Sequence, residues 1–147
     1  MKNIFVLSAA AAAILAAGIV SLQAQGAPRS SWSGIFTTDQ VARGKQLFSD
    51  NCAKCHGENL AGDEAAPQLA GPDFLSNWNG ETVSDLVDRI HTTMPADNPG
   101  KLSLASATDV ASFILSSNQM PAGAAELPRD AQLQAQIRID ALNPSGK

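Results

Sequence analysis

Five consecutive residues, Cys52-Ala53-Lys54-Cys55-His56, constrain this chain more than any other stretch. Cys-x-x-Cys-His is the attachment pattern for c-type haem. Two thiols separated by two residues can each add to one vinyl group of the same porphyrin. The histidine that follows is then held beneath the iron, where its imidazole becomes the proximal ligand. Three other uses of these residue types fit less well. A thioredoxin-like redox pair gives no reason for His56 and expects a strand-helix-strand context that the flanking sequence lacks. A zinc site needs about four ligands, and the soft candidates are only Cys52, Cys55, His56 and His91. A structural disulfide between Cys52 and Cys55 would close too small a loop to stabilise much.

The first 25 residues read as a secretory signal peptide. Lys2 gives a positive start, and Ile4 to Val20 is weakly apolar, interrupted by Ser8 and Gly18. Small and polar residues then run from Ser21 to Gly26, with cleavage after Ala24 or after Gly26 both satisfying the small-residue rule. A retained anchor is the rival reading, but the run is alanine-rich and at the short end of a membrane span. Export to the periplasm suits covalent haem attachment, and no second hydrophobic segment is present to insert the mature domain in a membrane.

Without the leader the chain carries nine Lys and Arg against fourteen Asp and Glu, a balance of −5. Haem propionates would make it more acidic. Nucleic acid and anionic membrane surfaces are therefore excluded as partners. About 120 mature residues without tyrosine build only a modest core. A buried porphyrin would fill much of it.

Residues 26–36 lack a helical period and form a lead-in. Thr37 and Gln40 suggest a capping box opening a first helix, whose face carries Val41, Gly44, Leu47 and Phe48 and which delivers the chain to Cys52. Gly44 costs about 1 kcal/mol of helix propensity, which a close helix contact would offset. From Gly57 to Gly80, Gly, Pro, Asn and Asp predict loops with at most a short turn of helix. Thr82 caps a second helix with Asp85 in its first turn, and Val83, Leu86, Val87 and Ile90 form an apolar stripe ending near His91. A third helix starts at Ser103 or Ser106, packs through Ala107, Val110, Ala111 and Ile114 with Phe113 beside them, and stops around Asn118. The extension over 121–147 holds a short helix at 130–136 and an extended stretch at 137–140.

From Thr37 to Asn118 the chain resembles a class I c-type cytochrome, with a helix before Cys52-x-x-Cys55-His56, a candidate ligand methionine and a C-terminal helix. It is more closely similar to the cytochrome c domains and subunits of quinoprotein alcohol dehydrogenases. That likeness rests on Trp78-Asn79-Gly80, the run from Thr92 to Gly100, Phe113-Ile114-Leu115, Pro121-Ala122-Gly123 and Glu126-Leu127-Pro128. The resemblance implies an all-α fold of three main helices wrapped with loops around one covalently attached haem, a cytochrome domain over 37–120, and a crossing of first and last helices at Gly44 and Phe113.

Two methionines are candidates for the second axial ligand. Met94 lies in a loop after a helix and is followed by Pro95, which stiffens the approach. Met120 is also followed by proline but comes after the last helix, where the family's ligand does not sit. Either would otherwise be a soft core filler. His91, three residues before Met94, could ligate instead, or could be an ordinary helix-end histidine favoured by the helix dipole. His56 must also donate its other ring N–H to fix its orientation. The resemblance offers the Pro67 carbonyl, because the family's Gly-Pro-x-Leu-x-Gly matches Ala66 to Gly71 except for Ala at 66. It also places Leu69 on the porphyrin. Trp78 is either a propionate donor through its indole N–H or a core aromatic.

With His56 and Met94 both on iron, no coordination position is open, so the expected function is a one-electron carrier rather than an enzyme. Lys54 and Lys101 either form a basic rim near the ligand segments or are simply solvated. The expected partners are redox proteins: a periplasmic dehydrogenase as donor, and an oxidase or another cytochrome as acceptor. A permanent subunit of a dehydrogenase complex is the alternative. A haem enzyme or gas sensor would need an open iron.

Overall fold

The computed structural model describes residues 28–146. The leader expected at 1–25 lies outside them. Helix α1 (Thr38–Asn51) and helix α5 (Leu104–Ser117) meet at Gly44. A Cβ added at Gly44 would stand 1.9 Å from the Asp109 carbonyl oxygen and 3.0 Å from the Phe113 Cβ. Only a glycine allows the two backbones this close, and that contact offsets its cost within the helix. One turn along, the rings of Phe48 and Phe113 pack with centroids 5.3 Å apart.

Between these helices run the short α2 (Ala53–His56), α3 (Pro72–Trp78) and α4 (Val83–Thr93). Thr82 caps α4 in a complete capping box with Asp85, and Val83, Leu86, Val87 and Ile90 are all buried on one face. Ser103 caps α5 through the Ser106 N–H. Its buried side chains encircle much of the helix, because α1 and α4 both pack on it and buried Gln134 from the chain's last segment donates to Thr108 Oγ1 at 3.3 Å. The stretch after Gly57 is more ordered than its composition predicts. Gly71 and Pro72 start a seven-residue helix there, which buries Phe74 and stacks it on Trp78.

The two ends of the described chain join the same core. Ile35 and Phe36 from the lead-in, and Leu127, Ile137 and Ile139 from the last segment, are all buried in one cluster with α1, α4 and α5. After α6 (Ala131–Gln134), β2 (Ile137–Arg138) pairs in parallel with β1 (Arg29–Ser30). The all-α architecture thus carries a two-residue parallel clasp between its ends. Gly123 donates its N–H to the Phe36 carbonyl at 2.7 Å and lies so close to Gly34 that a Cβ there would meet its oxygen at 2.0 Å.

One expected cap is half made. Thr37 Oγ1 accepts from the Gln40 N–H, but the Gln40 side chain does not return to close the box. It is buried instead. Its amide donates to the Leu127 carbonyl at 3.1 Å, and its oxygen accepts from the Leu127 N–H at 2.7 Å. Among the described residues no helix is long and apolar enough to cross a membrane.

Candidate functional site

Helix α1 ends on Cys52, which caps it, and the chain at once winds into α2. The Cys55 and His56 N–H groups both bond back to the Cys52 carbonyl, at 3.1 and 3.0 Å. One tight turn therefore carries both thiols and the imidazole. It stops at Gly57, whose φ of 72° lies in the left-handed region that favours glycine. Cys52 is half-buried and Cys55 exposed, and neither forms a disulfide. Burial, with a smaller contribution from Cys55, pushes the Cys52 thiol up to about 11.

His56 is buried, and its Nδ1 lies 2.8 Å from the Pro67 carbonyl oxygen. A carbonyl only accepts, so Nδ1 carries the proton and donates it. In the neutral ring the lone pair then sits on Nε2, the form that ligates a metal. The loop bearing Pro67 is fastened at several points. Leu69 N–H donates to the Leu60 carbonyl at 2.9 Å, and Gly62 N–H to the His56 carbonyl at 2.9 Å. Asn118, buried at the end of α5, holds the loop's far side. Its Nδ2 donates to the carbonyls of Leu69 (3.0 Å) and Ile114 (2.9 Å), while its Oδ1 accepts from the Gly71 N–H at 2.9 Å. In the sequence Asn118 stands out only as the end of a helix. The available signal was a lone amide closing an apolar helix.

These elements surround a cavity of about 1320 Å³. It is larger than the roughly 300–1,000 Å³ usual for small-molecule pockets. Cys52, Cys55, His56, Pro67, Leu69, Trp78 and Met94 all line it. Phe48, Ile90, Val110 and Ile114 extend the apolar wall inward from α1, α4 and α5. Two thiols, a histidine whose Nδ1–H is already engaged, a thioether and apolar walls make a donor set that fits a covalently held haem.

The other two candidates lie elsewhere. Met120 is only 2 % exposed and belongs to the core rather than to the cavity wall. His91 does not line the cavity either, and its Nδ1–H donates to the Leu102 carbonyl at 2.8 Å. The mouth carries more acids than bases, with Asp63, Glu81, Asp85, Asp88 and Asp97 against Lys54 and Arg89. Lys54 faces Asp97 at 3.6 Å with both side chains largely exposed, a pair that contributes little to stability. Lys101 is exposed and lies outside the cavity lining.

Known proteins carry the same domain. Residues 39–114, more than half of the chain, match the family described as cytochrome c oxidase, cbb3-type, subunit III. The chain is 33 % identical over 88 residues to a thiosulfate dehydrogenase of Stutzerimonas stutzeri, covering 55 % of this chain and 28 % of that protein. It is 49 % identical over 39 residues to the cbb3-type cytochrome c oxidase subunit FixP of a Bradyrhizobium species, covering 26 % and 13 %. Among solved structures, the sulfane dehydrogenase SoxCD of Paracoccus pantotrophus superposes with a TM-score of 0.48 at 24 % identity, over 79 % of this chain and 63 % of that one. The chain thus spans less than a third of the length of these two curated relatives. It belongs to the cbb3-type subunit III cytochrome family and is a class I c-type cytochrome that holds haem c covalently.

Proposed function

We propose that this electron-transfer domain carries one haem, joined through Cys52 and Cys55 and ligated axially by His56 and Met94, and that it works in the periplasm as a one-electron carrier. The observation that supports this reading is the single cavity wall shared by the attachment turn, the His56 imidazole and the Met94 thioether. Haem bound in that way supplies a one-electron ferric–ferrous change, and methionine with histidine on iron raises its potential.

The chain's own residues do the rest. Pro67 holds the His56 ring in one tautomer and one orientation. Leu69, Trp78 and the aliphatic side chains of α4 and α5 exclude water from the cavity, and Trp78 has an indole N–H to offer a propionate. Met94 closes the remaining position against small molecules, which disfavours an enzyme or gas sensor.

A dehydrogenase donor, of the quinoprotein type by sequence resemblance, and an oxidase-side acceptor complete the proposal. Relatives named as a thiosulfate dehydrogenase and as an oxidase subunit support those two classes of partner. A permanent subunit is the second reading, favoured because the matching domain in both relatives is a minor part of a longer polypeptide.

Optical redox titration of the purified holoprotein tests the ligation. One reversible one-electron wave is expected, moving to clearly lower potential in Met94→Leu. An unchanged potential in that variant would remove Met94 from the iron. A stable co-purifying partner would decide for the subunit reading.

A further inference from the structure

The segment that carries Met94 has few ties to the rest of the molecule. Met94 caps the C-terminus of α4, and the chain then runs through Pro95, Pro99 and Gly100 to Leu102, just before the Ser103 cap of α5. Residues 97–101 are all exposed. The backbone bonds within the segment, Asn98 N–H to the Pro95 carbonyl at 2.9 Å and Lys101 N–H to the Asn98 carbonyl at 3.3 Å, are local turns. Such turns shape the loop without anchoring it. The Lys54–Asp97 pair reaches outside it, but both side chains are exposed and solvent screens their attraction.

One polar contact brackets the whole loop. His91, half-buried in the last turn of α4, donates Nδ1–H to the carbonyl of Leu102, which is 5 % exposed. The bond spans the same sequence separation as the one from His56 to Pro67. It joins the residue one turn before Met94 to the point where the loop re-enters the core. Opening the loop at its base breaks this bond and leaves the Leu102 carbonyl without its partner.

Resting on the assignment of Met94 to the iron, we infer that His91 is a positioning residue for Met94: its imidazole clips the loop shut and sets how often the thioether leaves. The clip depends on an N–H at one place. An asparagine side-chain nitrogen lies the same number of bonds from Cα as His Nδ1, so His91→Asn preserves the donor, whereas His91→Leu keeps bulk and loses it.

The test is the rate at which free imidazole binds the ferric holoprotein, a step gated by departure of the methionine, measured alongside the chemical-denaturation midpoint. Wild-type protein should react slowly and Met94→Leu fast. If wild type reacts as fast as Met94→Leu, the ligand assignment itself fails and the inference falls with it. Given slow wild-type binding, His91→Leu should react roughly two- to tenfold faster, and His91→Asn should stay near the wild-type rate. His91→Leu at the wild-type rate overturns the inference. Equal acceleration by Leu and Asn overturns it too, since the donor would then not matter. So does acceleration that only follows a fall in the denaturation midpoint. Should His91→Leu not yield holoprotein, His91→Ala is read by the same criteria.

Discussion

His56 donates its Nδ1–H to the carbonyl oxygen of Pro67 at 2.8 Å, and this contact couples the attachment turn to the loop that follows it. The ring cannot rotate without giving up this partly buried hydrogen bond, so its orientation at the cavity wall is fixed. Asn118 extends the coupling to α5 by gripping Leu69 and Gly71, two and four residues beyond Pro67. The orientation of one imidazole thereby depends on contacts far along the chain.

Replacing Asn118 with alanine should loosen that loop. The substitution strips partners from the Leu69 carbonyl and the Gly71 N–H together, so a loss of about 2–4 kcal/mol is expected. Denaturant titration of the holoprotein measures it. A loss below about 0.5 kcal/mol, the scale of an ordinary surface substitution, would mean that these bonds do not hold the loop.

Gly44→Ala should destabilise the protein even though alanine is the better helix former. The added methyl meets the Asp109 carbonyl, which is backbone and cannot swing aside. Overpacking of this kind costs about 1–3 kcal/mol, and the clash puts it at the upper end. Helix propensity returns about 1 kcal/mol. The net loss, about 1–2 kcal/mol, should appear as a lower denaturation midpoint, and an increase would contradict the crossing.

Gln40→Leu should release the last segment of the chain. Leucine fills similar space but leaves both backbone groups of Leu127 buried without partners. The expected cost is about 2 kcal/mol or more. Limited proteolysis between residues 120 and 131 should speed up accordingly, and an unchanged cleavage rate would show that other contacts hold the segment.

Gln40 also marks where sequence reasoning stops. Periodicity and capping patterns located α1, α4 and α5 because those signals lie within a few residues of one another. Thr37 with Gln40 has the spacing of a capping box, yet the partner that wins the Gln40 side chain is Leu127, 87 residues away. No local pattern encodes that choice. The seven-residue α3 was hidden for a related reason: Gly71 and Pro72 read as loop punctuation, and the core that stabilises Phe74 is assembled from distant segments. The candidate site was easier to read. Covalent attachment demands a contiguous motif, and Met94-Pro95 stands out within its loop. The residues that brace the site, Asn118 and His91, bond to backbone carbonyls, and a carbonyl leaves no mark in the sequence.

Carbon monoxide binding to the ferrous holoprotein, wild type beside Met94→Leu, tests the central claim most directly. The account predicts that only the variant binds readily, because Met94 closes the iron in the wild type. Equally fast binding by both would contradict it and make an open-iron enzyme or sensor the better description.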